Sequence, residues 1–197
     1  MNLRNSTNLV QQDGELFLLN DFILPASAQE FFTELKNITQ WKQEGMMMFG
    51  KYVNFPRLTA WYADEGKTYE YSGLKNIPNK WTAPLLSLKS KIEVETQSTF
   101  NSVLLNYYRN GLDSMGWHSD DEPELGVNPI IASLNLGAAR KMQFRHRYQK
   151  EQKLELELSS GSLLIMKGSI QHFWQHQIPK QTKILEPRIN LTFRNII

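Results

Sequence analysis

Trp117-His118-Ser119-Asp120 sets an imidazole two positions from a carboxylate. In an extended segment side chains alternate faces, so residues i and i+2 point the same way. One nitrogen and one oxygen ligand then stand side by side. Two histidines and one carboxylate on one face of a metal, with open positions opposite, is the arrangement that suits non-haem Fe(II) and O2. A third ligand has to come from further along, where His172 and His176 compete and residue type alone does not separate them. The same residues also suit a solvated acidic turn, because Ser119-Asp120-Asp121-Glu122-Pro123 has a turn composition.

The last dozen residues shift the balance towards chemistry. Arg188-Ile-Asn190-Leu-Thr192-Phe-Arg194 alternates polar and apolar without a break. As a strand it puts Ile189, Leu191 and Phe193 on one side and the four polar residues on the other. Two arginines on an inner face are costly unless an anion meets them. Guanidinium groups suit planar carboxylates because they donate as a bidentate fork. An edge strand with a solvated polar face is the alternative. Val103 to Tyr108 shows a second alternation, with Asn106 and Tyr108 on one face ahead of a turn at Gly111.

His118-x-Asp120, His176 and the string from Arg188 to Arg194 resemble, in order and spacing, the AlkB family of 2-oxoglutarate/Fe(II) dioxygenases. The resemblance runs from about Phe49 to the C-terminus and is strongest to the members that repair double-stranded DNA. It implies a double-stranded β-helix (jelly roll), mainly β with flanking helices. It also implies Fe(II) held by His118, Asp120 and His176, with 2-oxoglutarate and O2 as co-substrates. Arg188 with Tyr108 would meet the distal carboxylate of 2-oxoglutarate, Arg194 with Asn106 the end near the metal, and Asn190 and Thr192 would line the same pocket. The implied reaction is oxidative demethylation of N1-methyladenine and N3-methylcytosine in DNA, releasing formaldehyde, succinate and CO2.

The resemblance further assigns a nucleotide-recognition lid at about 46–73. Phe49 matches the wedge that fills the place of an extruded base, and Tyr71 the aromatic that stacks on it opposite His118. Tyr69 and Ser72 match pocket neighbours, and Arg57 a lid arginine near the nucleic acid. Extrusion of a base costs a few kcal/mol that stacking and filling must return. Tyr71 carries a hydroxyl where a close relative would have Phe. Glu122, with Asp121 beside it, would favour the positive charge of a methylated base. Arg145, Arg147 and Lys150 belong to a basic run from Arg140 to Lys153 that would contact phosphates, His146 included.

The elements that must position these residues follow from pattern. Residues up to about Gly14 suggest a frayed tail, and Leu16 to Leu19 a short buried strand. Ser27-x-x-Glu30 has the capping-box form, predicting a helix to about Thr39 with Phe31, Leu35 and Ile38 inward. The aromatic stretch from Met46 to Gly73, broken by Gly and Pro, predicts hairpins. Thr82-Ala83-Pro84 opens a second helix with Leu85, Leu88 or Lys89, and Ile92 at helical spacing. Strands are expected at 130–136, 141–147, 154–158 and 162–166, which with Gly turns between them fit a barrel or jelly roll. The expected organisation is one domain over 1–197, with 1–99 an extension carrying helices and lid and 100–197 the catalytic core.

With 197 residues and no Cys, the chain has ample length for a core, and cysteine ligands and nucleophiles are excluded. No apolar run is long enough to span a bilayer and no signal-peptide core opens the sequence. A soluble, intracellular monomer, cytoplasmic or nuclear, is expected. A formal charge of +2 is too small to argue nucleic-acid binding by itself, so local clusters must carry that argument. DNA carrying methylated bases is the expected partner. Methylated RNA, a protein or a small molecule keep the same iron chemistry, and a binding module that has lost catalysis is the alternative from another class.

Overall fold

The computed structural model describes the chain except Met1, Asn2, Arg4, Asn5, Phe49, Thr68, Ser72, Gly73 and Ile77. In chain order the elements are β1 (Glu15–Leu19), α1 (Pro25–Ile38), β2 (Gly45–Met48), β3 (Lys51–Asn54), β4 (Leu58–Ala63), β5 (Tyr69–Tyr71), β6 (Leu74–Asn76) and α2 (Ala83–Thr96). They continue as β7 (Ser102–Tyr108), β8 (Met115–His118), β9 (Ile131–Gly137), β10 (Arg140–His146), β11 (Lys153–Leu158), β12 (Leu163–Lys167), α3 (Ile170–Phe173), β13 (Trp174–Ile178) and β14 (Arg188–Arg194).

Six strands form one sheet in the order β1-β12-β9-β14-β7-β4, and four form a second in the order β11-β10-β13-β8. Every pairing within these sheets is antiparallel. The result is a jelly roll with helices on its outer side. Period-2 alternation in the large sheet builds two separate cores. Ile189, Leu191 and Phe193 of β14, Leu163 and Ile165 of β12, and Val103 and Leu105 of β7 face out against α1 and α2. The opposite faces, with Leu164 and Met166, pack with Met142, Phe144 and Ile178 of the small sheet. The polar residues of β14 lie in this inter-sheet space. The two further ribbons, β2–β3 and β5–β6, are the expected hairpins of the aromatic stretch.

Three local expectations are corrected. Helix α1 begins at Pro25, two residues before Ser27, with Leu24 as its cap residue and no side-chain capping bond. Proline preset for helical φ at the first position does what the capping box was expected to do. Its inward stripe is Ala28, Phe32 and Leu35, while Ile38 is 45% exposed and Phe31 only partly buried. Nor are residues 6–14 frayed. The Asn8 Oδ1 accepts bonds from the Leu16 and Val10 N–H groups at 2.9 and 3.3 Å, and Val10 is buried.

Candidate active site

His118 ends β8 and His176 lies directly across from it in β13. Cross-strand neighbours share a face, so the two imidazoles meet with ring centroids 4.2 Å apart. The register shifts immediately beyond this pair, with Ile178 opposite Met115. Such a bulge re-aims side chains next to a site. Asp120 follows β8 and is 3% exposed, its Oδ2 4.0 Å from His176 Nε2. Among the described residues, His118, Asp120 and His176 form the group able to hold a metal, their ligand atoms all within 4.8 Å of one another. His172 is exposed on α3 and takes no part.

Each ligand is oriented by a neighbour. The Nδ1 of His118 lies 2.8 Å from the Gly116 carbonyl. A carbonyl only accepts, so Nδ1 carries the proton and Nε2 keeps its lone pair for a metal. Arg194 Nη2 donates to Asp120 Oδ1 at 2.7 Å, leaving Oδ2 on the histidine side. The Asp120 N–H donates to Oε1 of Gln171, a buried residue of α3, at 2.9 Å. Burial would raise the Asp120 carboxyl, but Arg194, His176 and His118 together outweigh it and hold it at about 2. Burial, helped by His118 and opposed by Asp120, pulls His176 down to about 3. Carboxylate and neutral imidazole, the ligating forms, are thus the resting forms.

Next to the triad a narrow cleft of about 40 Å³ runs between the sheets, lined among others by Asn106, Tyr108, Arg188, Asn190, Thr192 and Arg194. Arg188 is 2% exposed. Its Nη2 donates to Asn135 Oδ1 at 2.5 Å, while Nε and Nη1 are buried without a hydrogen-bond partner. Burial, opposed by Tyr108, draws its pKa down to about 10. A buried cation with two idle donors is a demand for an anion. Asn106, which lines the cleft, accepts at Oδ1 from Arg57 Nε at 2.8 Å. Asn190 donates to Ser133 Oγ at 2.8 Å and accepts from Thr192 Oγ1 at 3.0 Å. Both residues line the cleft, with those side-chain groups engaged across β9 and β14.

The remaining expected site residues fall in several places. Glu122 Oε2 is buried and lacks a partner, whereas Asp121 is exposed and pairs with Arg147 at 2.7 Å. Arg147 also donates to Ser119 Oγ, which ties it to the loop between His118 and Asp120. The Arg145 guanidinium lies 4.2 Å over the Trp117 ring and bonds Gln175, on the outer face of the small sheet. Lys150 is exposed. Arg57 points inward, at 5% exposure, onto Asn106. Phe49 and Ser72 lie outside the described residues, and Tyr69 and Tyr71 are described only as members of β5.

Two members of the basic run are corrected. His146 is 4% exposed, bonded to Asp13 at 3.1 Å and packed against Phe173 and Trp174. Arg140 is 1% exposed and bonds four acceptors inside the protein. Both sit on β10, where alternate residues turn inward, so a run that is contiguous in sequence is split between two faces. Sequence reasoning missed Asn135 and Gln171. Ser133-x-Asn135 on β9 carries the same two-residue polar spacing as Asn106-x-Tyr108 and was a usable signal. Gln171 offered none.

A jelly roll, a buried two-histidine, one-carboxylate cluster and an anion-seeking arginine beside it define one class, and the comparison of families agrees. The chain belongs to the 2OG-Fe(II) oxygenase superfamily, whose model matches residues 15–194. Within it the chain is similar to the AlkB homologues. The alpha-ketoglutarate-dependent dioxygenase alkB homolog 3 of Bos taurus is 43% identical over 89% of this chain and 64% of its own length. The DNA oxidative demethylase ALKBH2 of Homo sapiens is 38% identical over 87% of this chain and 70% of its own. The chain spans 50% to 64% of the alkB homolog 3 relatives it matches. The solved structure of OsALKBH1 superposes with a TM-score of 0.69 at 14% identity, covering 96% of this chain and all of that one, a likeness of fold. Fe(II), 2-oxoglutarate and O2 are what the family implies, and the residues fit them. The donor set is the one Fe(II) takes, and Arg188, with two donors left over, lines the same cleft.

Proposed function

We propose that this chain is an Fe(II)- and 2-oxoglutarate-dependent demethylase of alkylated nucleic-acid bases, acting on N1-methyladenine and N3-methylcytosine in DNA. One observation carries it: the buried triad and Arg188, which keeps two buried donors without a hydrogen-bond partner, line a single cleft. Fe(II) held by His118, Asp120 and His176 would supply, with 2-oxoglutarate and O2, the oxidising power to hydroxylate an N-methyl carbon, with succinate and CO2 from the co-substrate and formaldehyde from the methyl group as products.

The chain's own residues bind and orient. Arg188 and Tyr108 receive the distal carboxylate of the dianionic co-substrate, and Arg194 with Asn106 the end near the metal. Arg194 fixes the Asp120 carboxylate so that one oxygen faces the metal position. Glu122, with its buried, unpartnered oxygen, favours a base bearing positive charge. The substrate class is supported by the names of the relatives. The segment at about 46–73 serves as the recognition lid, with Phe49 as wedge, Tyr71 with Tyr69 and Ser72 around the base, and Asp121 at the rim. Exposed Arg147 and Lys150, and Arg145 on Trp117, meet phosphates, and Arg57 steadies the lid from Asn106. The enzyme works as a monomer in the cytoplasm or nucleus; no helix among the described residues is long and apolar enough to cross a membrane.

The test is formaldehyde release from an oligonucleotide carrying one N1-methyladenine, as single strand, duplex and RNA, with Fe(II) and 2-oxoglutarate, beside His118→Ala. Turnover by the unmodified protein alone is expected. Consumption of 2-oxoglutarate with the methyl group retained would keep the iron chemistry and remove the substrate. Turnover on RNA alone would reassign the nucleic acid.

A further inference from the structure

Tyr108 is 1% exposed, and two guanidinium groups pack over its ring: the Arg188 carbon 5.0 Å and the Arg140 carbon 5.6 Å from its centroid. Arg188 lines the cleft and Arg140 does not. Arg140 Nη2 donates to the carbonyls of Asp113 and Pro179 at 2.9 and 2.8 Å, Nη1 to Asn110 at 3.2 Å, and Nε to Gln181 Oε1 at 3.1 Å. All four acceptors are neutral. The Asp113 carboxylate close by is taken by Arg109, through two contacts of 2.8 Å. Arg140 is therefore a fully buried cation with its hydrogen bonds met and no carboxylate bonded to it. It stands close enough to Arg188 that its charge disfavours the protonated form there.

Two buried cations share one ring, and the Asp113 carboxylate that attracts Arg140 is itself hydrogen-bonded to Arg109, so an anion arriving between the sheets meets favourable charge from both. We propose that Arg140 is a positioning residue for the co-substrate: it holds Tyr108 against Arg188 and adds a second buried positive charge behind the distal-carboxylate site without touching the ligand. This rests on the reading of the cleft as a 2-oxoglutarate site. A purely structural role is the competing account, because Arg140 also ties the 110–113 turn to the 179–184 segment. The two stretches are already joined by Gly111 N–H to Ile184 O and Gln181 N–H to Gly111 O, both 2.8 Å.

Anaerobic calorimetry on the Fe(II) protein separates the two. Binding is measured for 2-oxoglutarate and for 2-oxobutyrate, which keeps the chelating end and lacks the distal carboxylate. Arg140→Met is expected to weaken 2-oxoglutarate about tenfold and 2-oxobutyrate by less than about twofold, as loss of one buried charge acting on a carboxylate requires. Arg140→Lys keeps the charge and loses the fork, and should hold 2-oxoglutarate within about threefold of the unmodified protein. Equal losses for the two acids, or a lysine variant no better than the methionine one, would reduce Arg140 to a loop clamp and overturn the proposal. If Arg140→Met does not fold, the lysine variant decides alone: retained 2-oxoglutarate affinity supports the proposal, and parallel loss of both acids overturns it. An unmodified protein that binds neither acid overturns the 2-oxoglutarate reading itself.

Discussion

Arg194 and Asp120 satisfy each other in a buried pair, and the pair does two jobs at once. The guanidinium takes Oδ1 and keeps the carboxylate charged, while Oδ2 is left towards His176. Asp120→Ala should abolish iron binding and turnover, and it leaves a buried arginine facing an empty place, so a fall in stability of about 3–5 kcal/mol is expected in chemical denaturation. Asp120 and His176 both have folded pKa values below their ordinary ones, about 2 against 3.8 and about 3 against 6.5. The unfolded chain then binds more protons, so these groups stabilise the fold at neutral pH and that stability is lost on acidification. For His176 the loss runs from about 6.5 down to about 3, and for Asp120 from 3.8 to about 2. Thermal melts of the chelator-treated protein should decline from pH 7 to pH 4, and His176→Gln should flatten that decline. A variant with the same slope would show that other groups set it. Arg188→Met should raise the KM for 2-oxoglutarate about 10- to 100-fold, as expected for a lost charge-assisted pair, with the melting behaviour of the co-substrate-free protein little harmed.

The clearest elements in the sequence were those whose period is also their function. Strand β14 reads the same in sequence and space because its polar residues face the cleft and its apolar ones the helices. Helix α1 misled because Ser27-x-x-Glu30 matches a capping box while Pro25 had already begun the helix. The basic run on β10 misled for the opposite reason: charge was weighed as a cluster where the strand deals alternate residues to opposite faces. Buried Arg140 and His146 are the outcome. Gln171 was invisible because a four-residue helix has no pattern, yet it holds the Asp120 backbone N–H. Gln171→Leu should lower iron affinity about 10- to 100-fold, the usual effect of removing a group that orients a ligand, with the triad itself intact. Titration of Fe(II) under anaerobic conditions measures it, and unchanged affinity would leave Gln171 a packing residue. For the proposed wedge, Phe49→Ala should slow demethylation of a duplex more than of single strands. Equal losses on both would sink the wedge.

At the scale of the molecule, three chain-distant strands each send one side chain to Asp120, which lies just beyond β8: His118 from β8, His176 from β13 and Arg194 from β14. Short motifs announced each group, but only closure of two sheets shows that they share one cleft. The engagement of Asn190 and Thr192 with their own sheet was likewise outside what spacing conveys. A metal and co-substrate held between the two sheets should brace the whole fold. Anaerobic Fe(II) with 2-oxoglutarate at about 100 times its Kd should add about 2.7 kcal/mol, a rise in Tm of about 5–10 °C for a chain of this size. Absence of any rise would mean that the cleft does not take up the acid.

The strand that carries both pocket arginines sits in the middle of the large sheet, between β9 and β7, although thirteen strands precede it in the chain. Without β14, the sheet order leaves β1-β12-β9 and β7-β4 with no strand joining them, and the edges of β9 and β7 that face β14 keep backbone N–H and C=O groups without their partners. The insertion that closes the sheet is also the one that brings Arg188 and Arg194 to the cleft.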